Sequence, residues 1–587
     1  MIVRLFSLLM KQLFTSISCK RSFAIIFFTS LLVLQSCKEK VSFKQQISSP
    51  EDLKNHTKVF DKRIEKVGDN IYVAIGYGLA NSILIEGKDS TIIVDCMESM
   101  EAGEAVKRAF DSVCAKPLKA IIYTHFHTDH TSGAVALAGN QKPDVYAQEL
   151  LPHYLDKTAS VVRHITEKRS YRMFGVFLDD AALVNCGIGP DLHIQKGSEL
   201  GVLRPTITFK DSLAVTIAGV RITLMHAPGE TPDQLLVWLP DSKTLLCGDN
   251  LYKTFPNLYT IRGTAYRDVN LWKNSVDKMR YLRPEVIVPS HTEVIRGADT
   301  IAKILTDYRD AIQYVHDQTV RGMNKGLTPD ELTEVVVLPK HLQQSPWLQE
   351  FYGKTEWSVR TVFDGYMGFF DGNPTTLLPL KKKDRAQKMQ ALAGGKANLE
   401  KQIETALRAK EFQWVLELSD VFLTLHPNTK HVIQQRIKAL TELGAAQSNP
   451  NARHYYLTCA LELDGLKNEG LIKPTPDLVK DIPIAAIFSG LAVHLNPEKS
   501  IDTRQRVLFD FTDSKAQWMV EIRNGVAEVQ PFETGKPDVT IHIKETVWKE
   551  LAAKIRKPLA TYTSGEIKVD GGIHHFIAFL RLFDLEE

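Results

Sequence analysis

Tyr123-Thr124-His125-Phe126-His127-Thr128-Asp129-His130 sets three histidines and an aspartate within six positions. The apolar run 119–123 that leads into it has the β-branched character of a strand. In extended backbone, residues i and i+2 point to one side, so His125 and His127 can grip one ion together. Asp129 and His130 then turn toward a second ion. Imidazole nitrogen and carboxylate oxygen are donors that zinc accepts, and a mixed N/O set also suits Fe or Mn. A polar surface loop rarely concentrates ligand types so densely directly after a strand, so this stretch is read as a metal site.

Around this turn the chain alternates strand and helix. Residues 70–75, 82–86 and 91–95 read as strands, 102–109 as a helix, and further strands follow at 214–217, 221–225, 235–239, 244–247 and 286–289, with a helix at 269–281. Mixed strands and helices over this length indicate an α/β layered domain, placed at 58–304. From 305 to 465 long amphipathic segments take over, at 400–409, 412–425, 430–443 and 453–463, joined by short turns; they predict an all-α helical-repeat or bundle domain. After Lys473-Pro474-Thr475-Pro476 the pattern alternates again, with strands at 507–511, 517–523, 539–543 and 566–569 and helices at 545–555 and 574–585. A small α+β domain is therefore expected over 478–587.

A strand followed by HxHxDH resembles the metallo-β-lactamase superfamily, whose fold is an αββα sandwich. That resemblance implies further ligands downstream at strand ends. Ala227-Pro228-Gly229-Glu230-Thr231-Pro232 is similar to the superfamily's third motif, with Glu230 where histidine is usual; Cys247-Gly248-Asp249 offers the metal-bridging carboxylate, and Val288-Pro289-Ser290-His291 the final histidine. The implied sites are His125, His127 and Glu230 for one ion and Asp129, His130 and His291 for the other, with Asp249 between. Two such ions lower the pKa of a water between them and support hydrolysis.

Asn257-Leu258-Tyr259-Thr260-Ile261-Arg262-Gly263 narrows the resemblance to the alkyl sulfatase branch. So do the stretches running Val73 to Ser82 and Ile92 to Ser99, and the GYMGFFDGNP segment at 365–374. That branch joins its catalytic domain to a helical dimerisation domain and a sterol-carrier-like C-terminal domain, the order found here. The resemblance assigns Arg262 and Asn257 to the sulfate group and makes Asp129 and Arg262 the residues counted as catalytic. A guanidinium fork suits a sulfate monoester, whose charge is spread over three oxygens. Two departures stand out: Asp249 occupies a position where the branch usually has glutamate, and Trp357 falls where a histidine is usual.

Composition excludes other classes. Lys plus Arg (72) nearly balance Asp plus Glu (69), the net charge is +3, and no basic stripe is interleaved with aromatics, so no nucleic-acid partner is expected. Lys20-Arg21 before the short apolar run 22–34 and the ending Leu34-Gln35-Ser36-Cys37 read as an export signal over 1–37, resembling a lipoprotein signal with Cys37 as the lipidated residue. This predicts a periplasmic or membrane-anchored protein. The five cysteines beyond the signal are odd in number and widely spaced, without CxxC, so no disulfide framework is expected. The expected function is a dinuclear zinc hydrolase, a homodimer by resemblance, that cleaves alkyl sulfate esters of small amphiphiles. A hydrolase of the same scaffold acting on a lactone, thioester, β-lactam or phosphoester is the alternative.

Overall fold

The computed structural model describes residues 47–532 and 534–584. The export signal and Cys37 lie outside the described residues. Among the described residues no helix is long and apolar enough to cross a membrane.

Two sheets carry the first half of the chain. The first has seven strands in chain order from Arg63–Val67 to Ile207–Phe209. Its first four strands form an antiparallel meander, and Thr91–Val94, Leu118–Ile122, Asp144–Gln148 and Ile207–Phe209 then run parallel. The second sheet has six strands, with Thr244–Leu246 and Val286–Val288 as its parallel pair. Val73, Ile75, Ile83, Ile85, Ile92, Val94 and Ile122 from the first sheet share one buried cluster with Leu224, Leu235, Val237, Leu246 and Val288 from the second. The sheets are therefore packed face to face.

The outer faces are covered by helices whose apolar residues recur at helical spacing. Met100–Asp111 buries Ala102, Val106 and Phe110 against the first sheet. Its start is fixed by Ser99, whose hydroxyl accepts the backbone N–H of Ala102. Val269–Leu282 and Ala298–Met323 cover the second sheet, with Trp272, Met279, Ile301, Leu305 and Tyr308 buried between them. This is the expected αββα sandwich. The 26-residue helix Ala298–Met323 runs through position 304, so its one buried face serves both the sandwich and the helices that follow.

Lys396–Arg408, Phe412–Leu425, Lys430–Ala445 and Pro450–Leu463 follow as an all-α region around Leu399, Ile403, Val415, Phe422 and Leu440. A five-stranded sheet then closes the chain around Phe488, Phe509, Phe511, Trp548 and Phe579. The strand Val526–Pro531, not expected from sequence, forms its edge after the Asn524-Gly525 turn, both of whose residues have positive φ. The predicted helix 545–555 stops at Ala552, because Lys554 takes φ +61 and leaves the helical region. Three helices inside the sandwich, Leu151–Ser160, Arg163–Phe174 and Asp180–Leu183, were also outside the expectation. His454 and Arg453, from the helix Pro450–Leu463, bond the carbonyls of Met173, Leu183 and Ala182 and tie this insertion to the all-α region.

Candidate active site

Strand Leu118–Ile122 ends in Tyr123 and Thr124, and the chain then bends into the single helical turn Thr128–Thr131. His125 and His127 sit before the turn and Asp129 and His130 on it. Asp249 follows Gly248, whose φ is +55 and where a Cβ would come within 2.0 Å of the Gln234 side-chain amide. His291 follows Val286–Val288. All of these ends lie at one edge of the sandwich.

The ligand atoms of His125, His127 and Asp249 converge in one group, and those of Asp129, His130 and His291 in a second, all within 4.8 Å of one another inside each group. Asp249 belongs to both sides: its Oδ2 is 3.7 Å from His125 Nε2 and 3.2 Å from His291 Nε2, and its Oδ1 is 3.5 Å from His130 Nε2. Asp129 Oδ2 lies 3.3 Å from His130 Nε2 and 3.5 Å from His291 Nε2. His130 Nε2 and Asp249 Oδ1 are buried without a hydrogen-bond partner. Buried polar atoms are rarely orphaned unless an ion or water serves them, so the donor set fits a pair of divalent cations.

The electrostatics divide the histidines. Burial, reinforced by neighbouring cationic groups, pushes His125 and His127 well below the ordinary histidine value, which leaves them neutral as ligands must be, whereas the Asp129 and Asp249 carboxylates, against burial, raise His130 and His291. Against burial, the imidazoles of His130 and His291 pull Asp129 down to about 2, and His291, His130 and His125 hold Asp249 well below the ordinary carboxylate range. Both carboxylates are anionic.

Behind the ligands stands a second set of bonds. Asp95 accepts from His130 Nδ1 at 2.8 Å, Ser290 Oγ at 2.6 Å, and both the hydroxyl and N–H of Thr124 at 2.9 Å. His291 Nδ1 bonds the carbonyl of Leu79 at 2.9 Å. These partners fix which ring nitrogen faces the centre.

Glu230 stands differently from the arrangement implied by the sequence. It is 2% exposed and close to the centre, but its Oε1 is paired with Arg267 at 2.7 Å and its Oε2 accepts from the Tyr252 hydroxyl at 3.3 Å. Asp249, not Glu230, completes the group with His125 and His127. The physical reason is the buried guanidinium of Arg267, which claims the nearest carboxylate; burial nonetheless pushes Glu230 up to about 7.

Arg262 borders the centre, and Asn257 is joined to it through Tyr252 and Arg267. An Arg262 terminal nitrogen lies 2.9 Å from His127 Nε2. The Asn257 side chain is fully buried and neither its amide nitrogen nor its oxygen has a partner, while its backbone N–H is held by the Tyr252 hydroxyl at 2.8 Å. Trp357 is half-buried in the first turn of the helix Thr355–Met367. His226 bonds the Pro232 carbonyl at 2.7 Å and is not part of either group. Sequence reasoning did not assign Arg267 and Tyr252, or Asp95 as an orienting carboxylate; an aspartate at a strand end before a turn was the one available signal.

Three family models match the chain in succession: metallo-beta-lactamase superfamily over residues 75–291, alkyl sulfatase dimerisation over 328–465 and alkyl sulfatase C-terminal over 473–587. A linear primary-alkylsulfatase from a Pseudomonas species is 35% identical over 524 residues, which covers 86% of this chain and 98% of that protein. The alkyl/aryl-sulfatase BDS1 of Saccharomyces cerevisiae is 28% identical, covering 88% and 82%. Among solved structures, a double mutant of the sec-alkyl sulfatase PisA1 superposes with a TM-score of 0.83 at 25% identity, covering 92% of this chain and 88% of that one. With a metal-ligating centre at the edge of an αββα sandwich, and similarity that runs through all three regions, the chain belongs to the alkyl sulfatase family of the metallo-β-lactamase superfamily.

Proposed function

We propose that this protein hydrolyses alkyl sulfate esters to an alcohol and inorganic sulfate. The observation that carries the reading is Arg262, whose guanidinium lies 2.9 Å from the ligand His127, together with the buried, unpartnered side-chain amide of Asn257 in the same loop. A guanidinium offers paired donors to an oxyanion, and a buried neutral amide adds a donor that no protein group uses.

His125, His127, Asp129, His130, Asp249 and His291 would hold two divalent ions, zinc by preference for this N/O set, with Fe or Mn as alternatives. Glu230 joins the His125 and His127 side if it exchanges Arg267 for a cation. When bound, such ions supply a water deprotonated near neutral pH and positive charge for developing anions. The chain's own residues do the rest. Arg262 and Asn257 orient the sulfate group, Asp95 keeps His130 in one tautomer, and the buried surroundings exclude bulk water and strengthen each polar contact.

Homodimer formation through the helical region accords with the dimerisation model and with the exposure of Phe369 (88%), Leu378 (90%) and Leu392 (82%), too many large apolar side chains to leave in water. An export signal with Cys37 lipidated remains part of the proposal and would tether the enzyme at a membrane.

Incubation of the metal-loaded protein with dodecyl sulfate, read as free sulfate, tests the reading. Chelator-sensitive release is the expected result. Turnover of lactones or thioesters with sulfate esters left intact overturns it in favour of another hydrolase of this scaffold.

A further inference from the structure

Tyr352 reaches the centre from a part of the chain far from the ligands. Its carbonyl oxygen accepts from the side-chain amides of Asn451 at 2.9 Å and Asn449 at 3.2 Å, on and just before the helix Pro450–Leu463. The next residue, Gly353, donates its N–H to the Phe255 carbonyl at 3.1 Å. A Cβ at 353 would meet the Pro256 carbonyl oxygen at 2.0 Å. Glycine thus lets this corner press against the backbone that leads directly into Asn257.

The ring of Tyr352 packs edge-to-face on Tyr252, with centroids 5.7 Å apart and planes at 86°, and Tyr252 in turn reaches Glu230. It shares an apolar cluster with Ile261, the neighbour of Arg262. The charged groups that act on the phenol are Glu230, Arg262, Asp129 and Arg267, all members of the centre or its rim. Burial, with Glu230 beside it, holds this phenol well above the ordinary tyrosine range, so at neutral pH it keeps its proton.

Tyr352 is only 5% exposed, yet among the described residues no group bonds its hydroxyl. The hydroxyl is also not sealed in, as those of Tyr171 and Tyr308 are. A buried tyrosine ordinarily finds a partner for its O–H. Here a protonated donor lies within the field of the centre's charged groups with nothing in the protein to receive it.

Resting on the sulfate-ester reading, we propose that the Tyr352 hydroxyl donates a hydrogen bond to the bridging ester oxygen of the substrate. Arg262 and Asn257 take the outer sulfate oxygens, which leaves the bridging oxygen in want of a donor. Cleavage of the S–O bond puts the electron pair on that oxygen as an alkoxide; cleavage of the C–O bond puts it there as part of sulfate. Either way negative charge grows at the same atom, and a fixed donor aimed at it strengthens in the transition state.

The experiment compares Tyr352→Phe with wild type in dodecyl sulfate turnover and in inhibition by decane-1-sulfonate, which has carbon in place of the bridging oxygen. The expected result is a fall in kcat of about 10- to 100-fold, a sulfonate inhibition constant within about twofold, and unchanged bound metal. Tyr308→Phe, which removes a sealed hydroxyl nearby, serves as the matched control and leaves both values unchanged. A Tyr352→Phe protein with wild-type kcat overturns the inference. So does one whose sulfonate affinity or metal content falls in step with its kcat, since that marks a packing role. Wild-type protein that holds metal and leaves every sulfate ester intact overturns the sulfate-ester reading first.

Discussion

Asp95 Oδ2 stands 2.8 Å from His130 Nδ1, joining two side chains 35 positions apart with neither exposed to solvent. The bond fixes His130 so that Nε2 points at Asp129 and Asp249. Asp95 also ties Thr124 and Ser290 to the same carboxylate, so one residue registers the HxHxDH turn against the segment that carries His291. Asp95→Asn keeps the shape and removes the charge. Metal affinity is expected to fall about 10- to 100-fold, measured by competition with a chromophoric chelator, while the far-UV circular dichroism stays unchanged.

Removal of metal has a consequence for stability. Asp129, Asp249 and Glu230 lie buried together with the imidazoles of His125, His130 and His291, and orphaned atoms on His130 and Asp249 await a partner. Ligand binding to the native state alone raises stability in proportion to the logarithm of free ligand over Kd. Dialysis against a chelator is expected to lower Tm by roughly 5–10 °C, with zinc restoring it. A Tm indifferent to both treatments contradicts a bound pair of ions.

Arg262 separates orientation from metal binding. Arg262→Ala is expected to lower kcat/KM for alkyl sulfates about 100-fold with bound metal unchanged. Arg262→Lys restores less than about tenfold of that loss, because an ammonium lacks the planar fork. Steady-state kinetics and elemental analysis on the same preparations check both statements. Full recovery with lysine would show that charge alone is required at this position.

Much of this architecture is legible in the sequence because its signals are local. The strand Ser82–Glu86 and the helix Phe412–Leu425 fall at their expected bounds, since alternation and helical spacing are read over a few residues. The HxHxDH turn is equally local: His125 and His127 share one group as i, i+2 geometry requires, and the helical turn Thr128–Thr131 carries Asp129 and His130 into the other. What escaped is tertiary. That Arg267 takes Glu230, that Asp95 carries His130, and that Tyr352 arrives on the support of Asn449 and Asn451 all depend on contacts between distant segments. The helices Leu151–Ser160 and Arg163–Phe174 carry mostly polar, half-exposed faces, so apolar periodicity marks them weakly.

Glu98 gives a pH dependence of defined sign. It is fully buried, its Oε1 accepts the N–H groups of His193 at 2.7 Å and Leu79 at 3.1 Å, and its Oε2 is sealed without a partner. Burial, with Asp191 and Asp129 as like charges, pushes its pKa from 4.5 up to about 8. Between those two values the folded chain holds a proton that the unfolded chain releases, so this residue's contribution to stability declines as pH rises through that window. Glu98→Gln matches the neutral acid at every pH. Urea unfolding is therefore expected to give similar stabilities for the two proteins near the lower value and a variant more stable than wild type, on the order of a few kcal/mol, near the upper one. Because Leu79 also receives His291 Nδ1, local opening that hydrates an ionised Glu98 also frees a loop that holds a metal ligand, and wild type is expected to become more sensitive to chelators over the same pH range while Glu98→Gln does not. Parallel chelator sensitivity in the two proteins across that range would disconnect Glu98 from the metal centre.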